Sequence, residues 1–153
     1  MTTNSNIRIG TLIHGTLRDE DLLEAFADEL DRLSAGDDSP LRRPESVEAR
    51  ALLAIGADEW SEEQHLDAEY LINETLFYAL NEYAPPHVYF GAHEGDGSDF
   101  GFWPTRDDWD NCSGHWVSKH EFIDHDCRVF VQINDHGNIT VSELRGEEIW
   151  SAV

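Results

Sequence analysis

The chain has 153 residues, 40% of them hydrophobic, a size at which one folded domain buries most of its apolar surface without disulfides or metal. Its formal charge is −22, from 32 acidic and 10 basic residues, and Lys119 is its single lysine. A surface of that sign repels DNA, RNA and anionic membranes, whose binding proteins cluster Lys and Arg, and attracts cationic protein surfaces instead.

In chain order, "MTTNSN" lacks a basic region followed by an apolar core, and no apolar run approaches the roughly 18 residues that cross a bilayer, which predicts a cytoplasmic protein. Residues 7 to 13, "IRIGTLI", alternate as a strand with Ile7, Ile9 and Thr11 on one side. Asp19 suits an N-cap, and Leu22, Leu23, Phe26, Leu30 and Leu33 form one helical stripe that ends before Gly36. Residues 34 to 46, rich in proline and small polar residues, read as an exposed connection, and a short helix follows through "VEARALLAIG".

Ser61 with Gln64 has the form of a capping box and opens a helix over 61 to 83, about 35 Å long, with Leu66, Tyr70, Leu71, Phe77, Tyr78 and Leu80 as its apolar face. Pro85 and Pro86 stop it. "HVYFGAH" reads as a buried strand, and the glycine- and aspartate-rich "EGDGSDFGFWP" as a loop. "RVFVQI" and "ITVSEL" flank "NDHGN" as an antiparallel hairpin, with Val129, Val131 and Ile133 facing Ile139 and Val141. The expected architecture is α+β in a single domain over 1–153: a small, mainly antiparallel sheet with a C-terminal hairpin and two or three helices on one side.

The charge is concentrated. Residues 19 to 40 and 58 to 83 each carry −8, and 84 to 110 carry −5. Glu20, Glu24 and Asp28 recur at four-residue spacing on one helix, and Glu59, Glu63 and Asp67 repeat that spacing at the start of another. Surface helices normally place Lys or Arg four residues after Glu, worth roughly 0.2 to 0.5 kcal/mol per pair, whereas here like charge follows like. Carboxylates four residues apart are about 6 Å apart along the axis, so two such ridges side by side offer about one charge per 3 Å, close to a nucleic-acid strand. This pattern predicts a phosphate mimic that binds a basic nucleic-acid-binding protein, with Asp107, Asp108 and Asp110 around Trp109 as secondary contacts. A halophile's housekeeping protein is the alternative source of such acidity, although that would spread the charge more evenly.

A second alternative is a metal-dependent hydrolase or nuclease built on the 87–127 region. His87, His93, Glu94, Asp96 and Asp99 crowd its first half, and Cys112, His115, His125 and Cys127 follow. The spacings match no zinc ribbon, finger or EF-hand, and Cys112 and Cys127 suit reduced core thiols equally well. No nucleophile elbow, Walker loop or dinucleotide fingerprint occurs, so neither catalytic residues nor a cofactor are expected. Phe100, Phe102, Trp103 and Trp116 lack the neighbouring cations that base stacking requires and read as core or interface anchors.

The strings "IRIGTLIHGTLR", "YAPPHVYFGAHEGDGSDFGFWP" and "VQINDHGNITV" resemble a family of small proteins carried by phages, prophages and other mobile elements. The resemblance implies a context in mobile elements and brings no catalytic residues with it. By charge alone the chain is similar to phage and plasmid DNA mimics such as Ocr, the ArdA antirestriction proteins and acidic anti-CRISPR proteins. That similarity of strategy implies an inhibitor of a host defence protein, acting by protein–protein interaction in the host cytoplasm.

Overall fold

Apolar residues at helical spacing dominate the first half of the chain and alternating ones the last third, and the fold follows that division. The computed structural model describes residues 7–37, 42–105, 114–126, 128–136, 138–143 and 148–152. The architecture is α+β, and its contacts fall into two compact units: Thr11–Tyr83 with Phe90–Gly101, which holds the helices, and Met1–Gly10, Ala84–Tyr89 and Phe102–Val153. Among the described residues no helix is long and apolar enough to cross a membrane.

In the helical unit, α1 (Asp19–Ser34) buries Leu22, Leu23, Phe26, Leu30 and Leu33, as their spacing predicts. Asp19 is not its cap. Arg18 holds that position without a side-chain bond, and Asp19, Glu20 and Asp21 form an acidic first turn against the positive end of the helix dipole. Helix α2 (Pro44–Ile55) starts on a proline whose missing N–H costs nothing in the first turn. Pro44, Glu45 and Ser46, expected in the connection, are therefore helical, while residues 38–41 lie outside the described ones.

Gly56, at φ 86°, turns the chain out of α2 in a backbone conformation that disfavours side chains, and a 3₁₀ turn (Ala57–Glu59) follows. The buried Trp60 indole then donates to the Leu52 carbonyl at 2.9 Å and fixes where the next helix begins. Helix α3 (Glu62–Tyr70) opens with the expected capping box: Ser61 Oγ accepts from the Gln64 N–H, and Gln64 Oε1 accepts from the Ser61 N–H. It continues without a break in αR backbone through a π-helical segment (Leu71–Leu76) into α4 (Phe77–Asn81).

The π segment shifts the expected apolar face: Leu71 and Leu80 are buried and Phe77 half-buried as expected, but the other three residues are not. The buried residues are Ala68, Leu71, Ile72, Leu76, Ala79 and Leu80, whereas Leu66, Tyr70 and Tyr78 are exposed. Positions 68, 72, 76 and 80 are four apart, a spacing that drifts about 40° per step round a regular α-helix. One extra residue in the π segment turns the later part back by about 100° and keeps that row on the core side.

Strands β1 (Gly10–His14), β2 (Val88–His93) and β3 (Asp96–Pro104) form a three-stranded sheet in the order β1-β3-β2. The expected loop over 94–104 is thus a nine-residue strand. Only Glu94 and Gly95 turn, and a neighbour on each side satisfies the backbone of β3, which overrides its glycine-rich composition. Within the helical unit, which holds 11–14, 90–93 and 96–101 of this sheet, Phe26 is fully buried and meets Phe90 edge-on at 5.0 Å and Phe100 at 5.6 Å, while Phe77 meets Phe90 at 5.5 Å, so the helices and these strand segments share one aromatic core.

The other unit contains a five-stranded antiparallel meander, β4 (His115–Ser118), β5 (Glu121–Asp124), β6 (Val129–Ile133), β7 (Ile139–Glu143) and β8 (Glu148–Ala152). The expected hairpin is β6–β7: Val131 pairs with Val141 and Ile133 with Ile139. Its reversal is held by Asn134, whose Oδ1 accepts from the N–H groups of His136 at 2.9 Å and Asn138 at 3.0 Å.

Candidate functional site

The acidic residues divide by whether an arginine reaches them. Of the first predicted ridge, Glu20 is paired with Arg18, and Asp28 with Arg50 at 2.5 Å, while Glu24 is exposed with no ion pair among the described residues. Arg50 lies on α2 and also bonds Asp31 at 3.0 Å, so the seam between α1 and α2 is closed by charge. Arg32 stands four residues after Asp28 but does not bond it, and the cation that Asp28 and Asp31 receive is Arg50 of the next helix, 22 and 19 residues later. Within α1 itself, Arg32 forks onto Glu29 through two bonds of 2.5 and 2.8 Å. Arg43 joins the start of α2 to the end of α4, bonding Glu45 and, at 3.0 Å, Glu82.

These clamps set their own acid limit. Partial burial opposes ionisation of Asp31, but bonds from the Ser46 hydroxyl and Arg50, with the charge of Arg42, outweigh it and hold the carboxyl below its usual range. The Arg43 bond does the same for Glu45. A carboxylate depressed in the folded state stabilises above its unfolded pKa, about 4, and loses that contribution as pH falls through the lower folded value. We expect Arg50→Ala to lower stability by about 1–3 kcal/mol at neutral pH and to flatten the loss of stability below about pH 4, read from urea midpoints at each pH.

The second ridge differs. Glu59, Glu63 and Asp67 are all exposed, as are Asp58, Glu62, Glu69 and Glu74, and none has an ion pair among the described residues. No lysine or arginine occurs between Arg50 and Arg106, a stretch that contains eleven acidic residues. Glu62 and Glu63 have a structural reason, since the first turn of a helix favours negative charge. Asp67, Glu69 and Glu74 lie beyond the reach of that effect and receive no such return. Asp107, Asp108 and Asp110 fall outside the described residues.

The His/Asp-rich candidates go to separate places. His93 Nδ1 accepts from the Gly95 N–H at 3.0 Å, and Asp96 bonds both Ser98 and His14. Those bonds, the Ser98 N–H and hydroxyl first, pull the Asp96 carboxyl down to about 2. Asp99 accepts from the Thr11 hydroxyl. His87, at φ 62°, is buried against Asp124 at 2.9 Å, a pairing that sequence spacing does not reveal. The rings of His115 and His125 stack at 5.4 Å. Cys112 and Cys127 are outside the described residues, and among those described no three His, Cys, Asp or Glu side chains converge as metal ligands would.

No protein-family model, curated protein or solved structure matches this chain.

Proposed function

We propose that the chain is a phage-type inhibitor that works by stoichiometric binding, its acidic helical face occupying the nucleic-acid site of a host defence protein. CRISPR effectors and restriction enzymes are the leading targets. The observation that supports this most is the run of exposed carboxylates from Glu59 to Glu74 without an ion pair among the described residues, three of which the helix dipole does not reward. The first ridge contributes less to the reading, because arginines already hold two of its three members. A groove lined with Lys and Arg for phosphates offers the charge that this face lacks, and the long-range field speeds encounter at low salt.

The test is a titration of the chain into a panel of restriction endonucleases and CRISPR nucleases, each with its labelled DNA substrate. Inhibition of a susceptible enzyme is expected to reach its endpoint at a fixed molar ratio and to be relieved by added DNA. Inactivation by far less than one equivalent, or none across the panel, contradicts the proposal.

A further inference from the structure

The face that carries the unpaired acids is not purely acidic. Leu66, Tyr70 and Tyr78 are 62%, 66% and 67% exposed, well above what large apolar side chains of a helix normally show. Leu66 and Tyr70, one turn apart on α3, are about 40° apart around the axis. An unbroken α-helix would carry Tyr78 about 80° past Tyr70, but the extra residue of the π segment returns it to within about 20°. The three side chains therefore form one straight stripe about 18 Å long, opposite the row that enters the core.

Carboxylates border this stripe on both sides. By helical projection Glu63 and Asp67 fall along one edge and Glu62 and Glu69 along the other, each within about 80° of its midline. A bare phosphate mimic has no use for aliphatic and phenolic surface between its charges. Tyrosine at the centre of a patch, with charge at its rim, is the arrangement by which protein interfaces gain affinity. A second copy of this chain is disfavoured as the occupant by the charge of −22, and an anionic membrane is repelled for the same reason.

We infer that the stripe Leu66–Tyr70–Tyr78 is the docking site for a cationic amphipathic helix of the partner protein, its apolar side on the stripe and Lys or Arg along both edges. The inference rests on the proposal that the partner is basic, and adds which kind of segment the partner presents. Such a helix reads its groove through anchors at i, i+3 or i+4 and i+7.

Two synthetic peptides of about 18 residues, of identical Leu and Lys composition, test it by calorimetry. One is patterned as an amphipathic helix; the other is scrambled so that no apolar face forms. The chain is expected to bind the patterned peptide about tenfold more tightly, and the variant Leu66→Gln/Tyr70→Gln/Tyr78→Gln is expected to lose that preference while binding the scrambled peptide as before. Equal affinity for both peptides overturns the docking inference and leaves the acidic-face reading standing. Failure to bind either peptide overturns both. A dimer seen by sedimentation that the triple variant dissolves overturns it in favour of a second copy as occupant.

Discussion

Neutralising Asp67, Glu69 and Glu74 as Asp67→Asn, Glu69→Gln and Glu74→Gln is expected to weaken binding to the target nuclease about 10- to 100-fold and to leave stability unchanged or slightly higher. Each exposed charge in a cationic groove contributes on the order of 0.5–1 kcal/mol, so three together amount to one or two factors of ten. The opposite sign for stability follows from their surroundings. All three are exposed, none has an ion pair among the described residues, and the helix has no basic residue in its last turn, so their charge acts on the fold only through repulsion. A purely structural role for these residues predicts the reverse pairing, with lost stability and unaltered binding. Displacement of labelled DNA, beside urea unfolding of the same variant, reads both quantities.

Phe26→Ala is expected to cost about 3–5 kcal/mol, roughly a fifth or more of the stability of an ordinary domain. Phe26 is fully buried and stands between the helices and the three-stranded sheet, edge-on to both Phe90 and Phe100. Removing its ring deletes both aromatic contacts and leaves a cavity that strands on one side and helices on the other cannot close. The loss is read from urea midpoints. Exposed Leu66, similar in hydrophobicity but outside the core, is expected to tolerate alanine within about 0.5 kcal/mol.

What the sequence disclosed depended on whether a single element carried the information. Helix α1 was legible because its five large core residues keep 3.6-residue periodicity, and the β6–β7 hairpin because Asn134 to Asn138 supplies turn chemistry between alternating runs. The capping box at Ser61 is likewise local. Strand β3 was not legible, because its glycines and aspartates argue for a loop and only the flanking strands supply its hydrogen bonds. The buried face of the long helix was legible only in part, at Leu71 and Leu80, because a regular α-helical period does not describe a rod with a π segment. The useful sign was present in the four-residue spacing of Ala68, Ile72, Leu76 and Leu80, which holds over twelve residues where an α-helix would drift.

The acidic site was legible in part for the same reason. Four-residue repeats of Glu and Asp can be read along one helix, but of the arginines that answer them Arg18 lies at that helix's own start and Arg50 belongs to another. Arg50 reaches Asp28 and Asp31 only because α2 packs beside α1, so sequence alone counted the first ridge as bare. The second ridge lies in a stretch without Lys or Arg, where local composition and tertiary surroundings agree.

The measurement that bears most directly on the central claim is the salt dependence of DNA displacement from a susceptible nuclease by the wild-type chain and by the Asp67→Asn/Glu69→Gln/Glu74→Gln variant, between about 50 and 200 mM salt. If carboxylates of α3 and the π segment take the place of phosphates, wild-type affinity falls steeply with salt and the variant shows both a lower affinity and a shallower slope. Parallel slopes of equal affinity would contradict it.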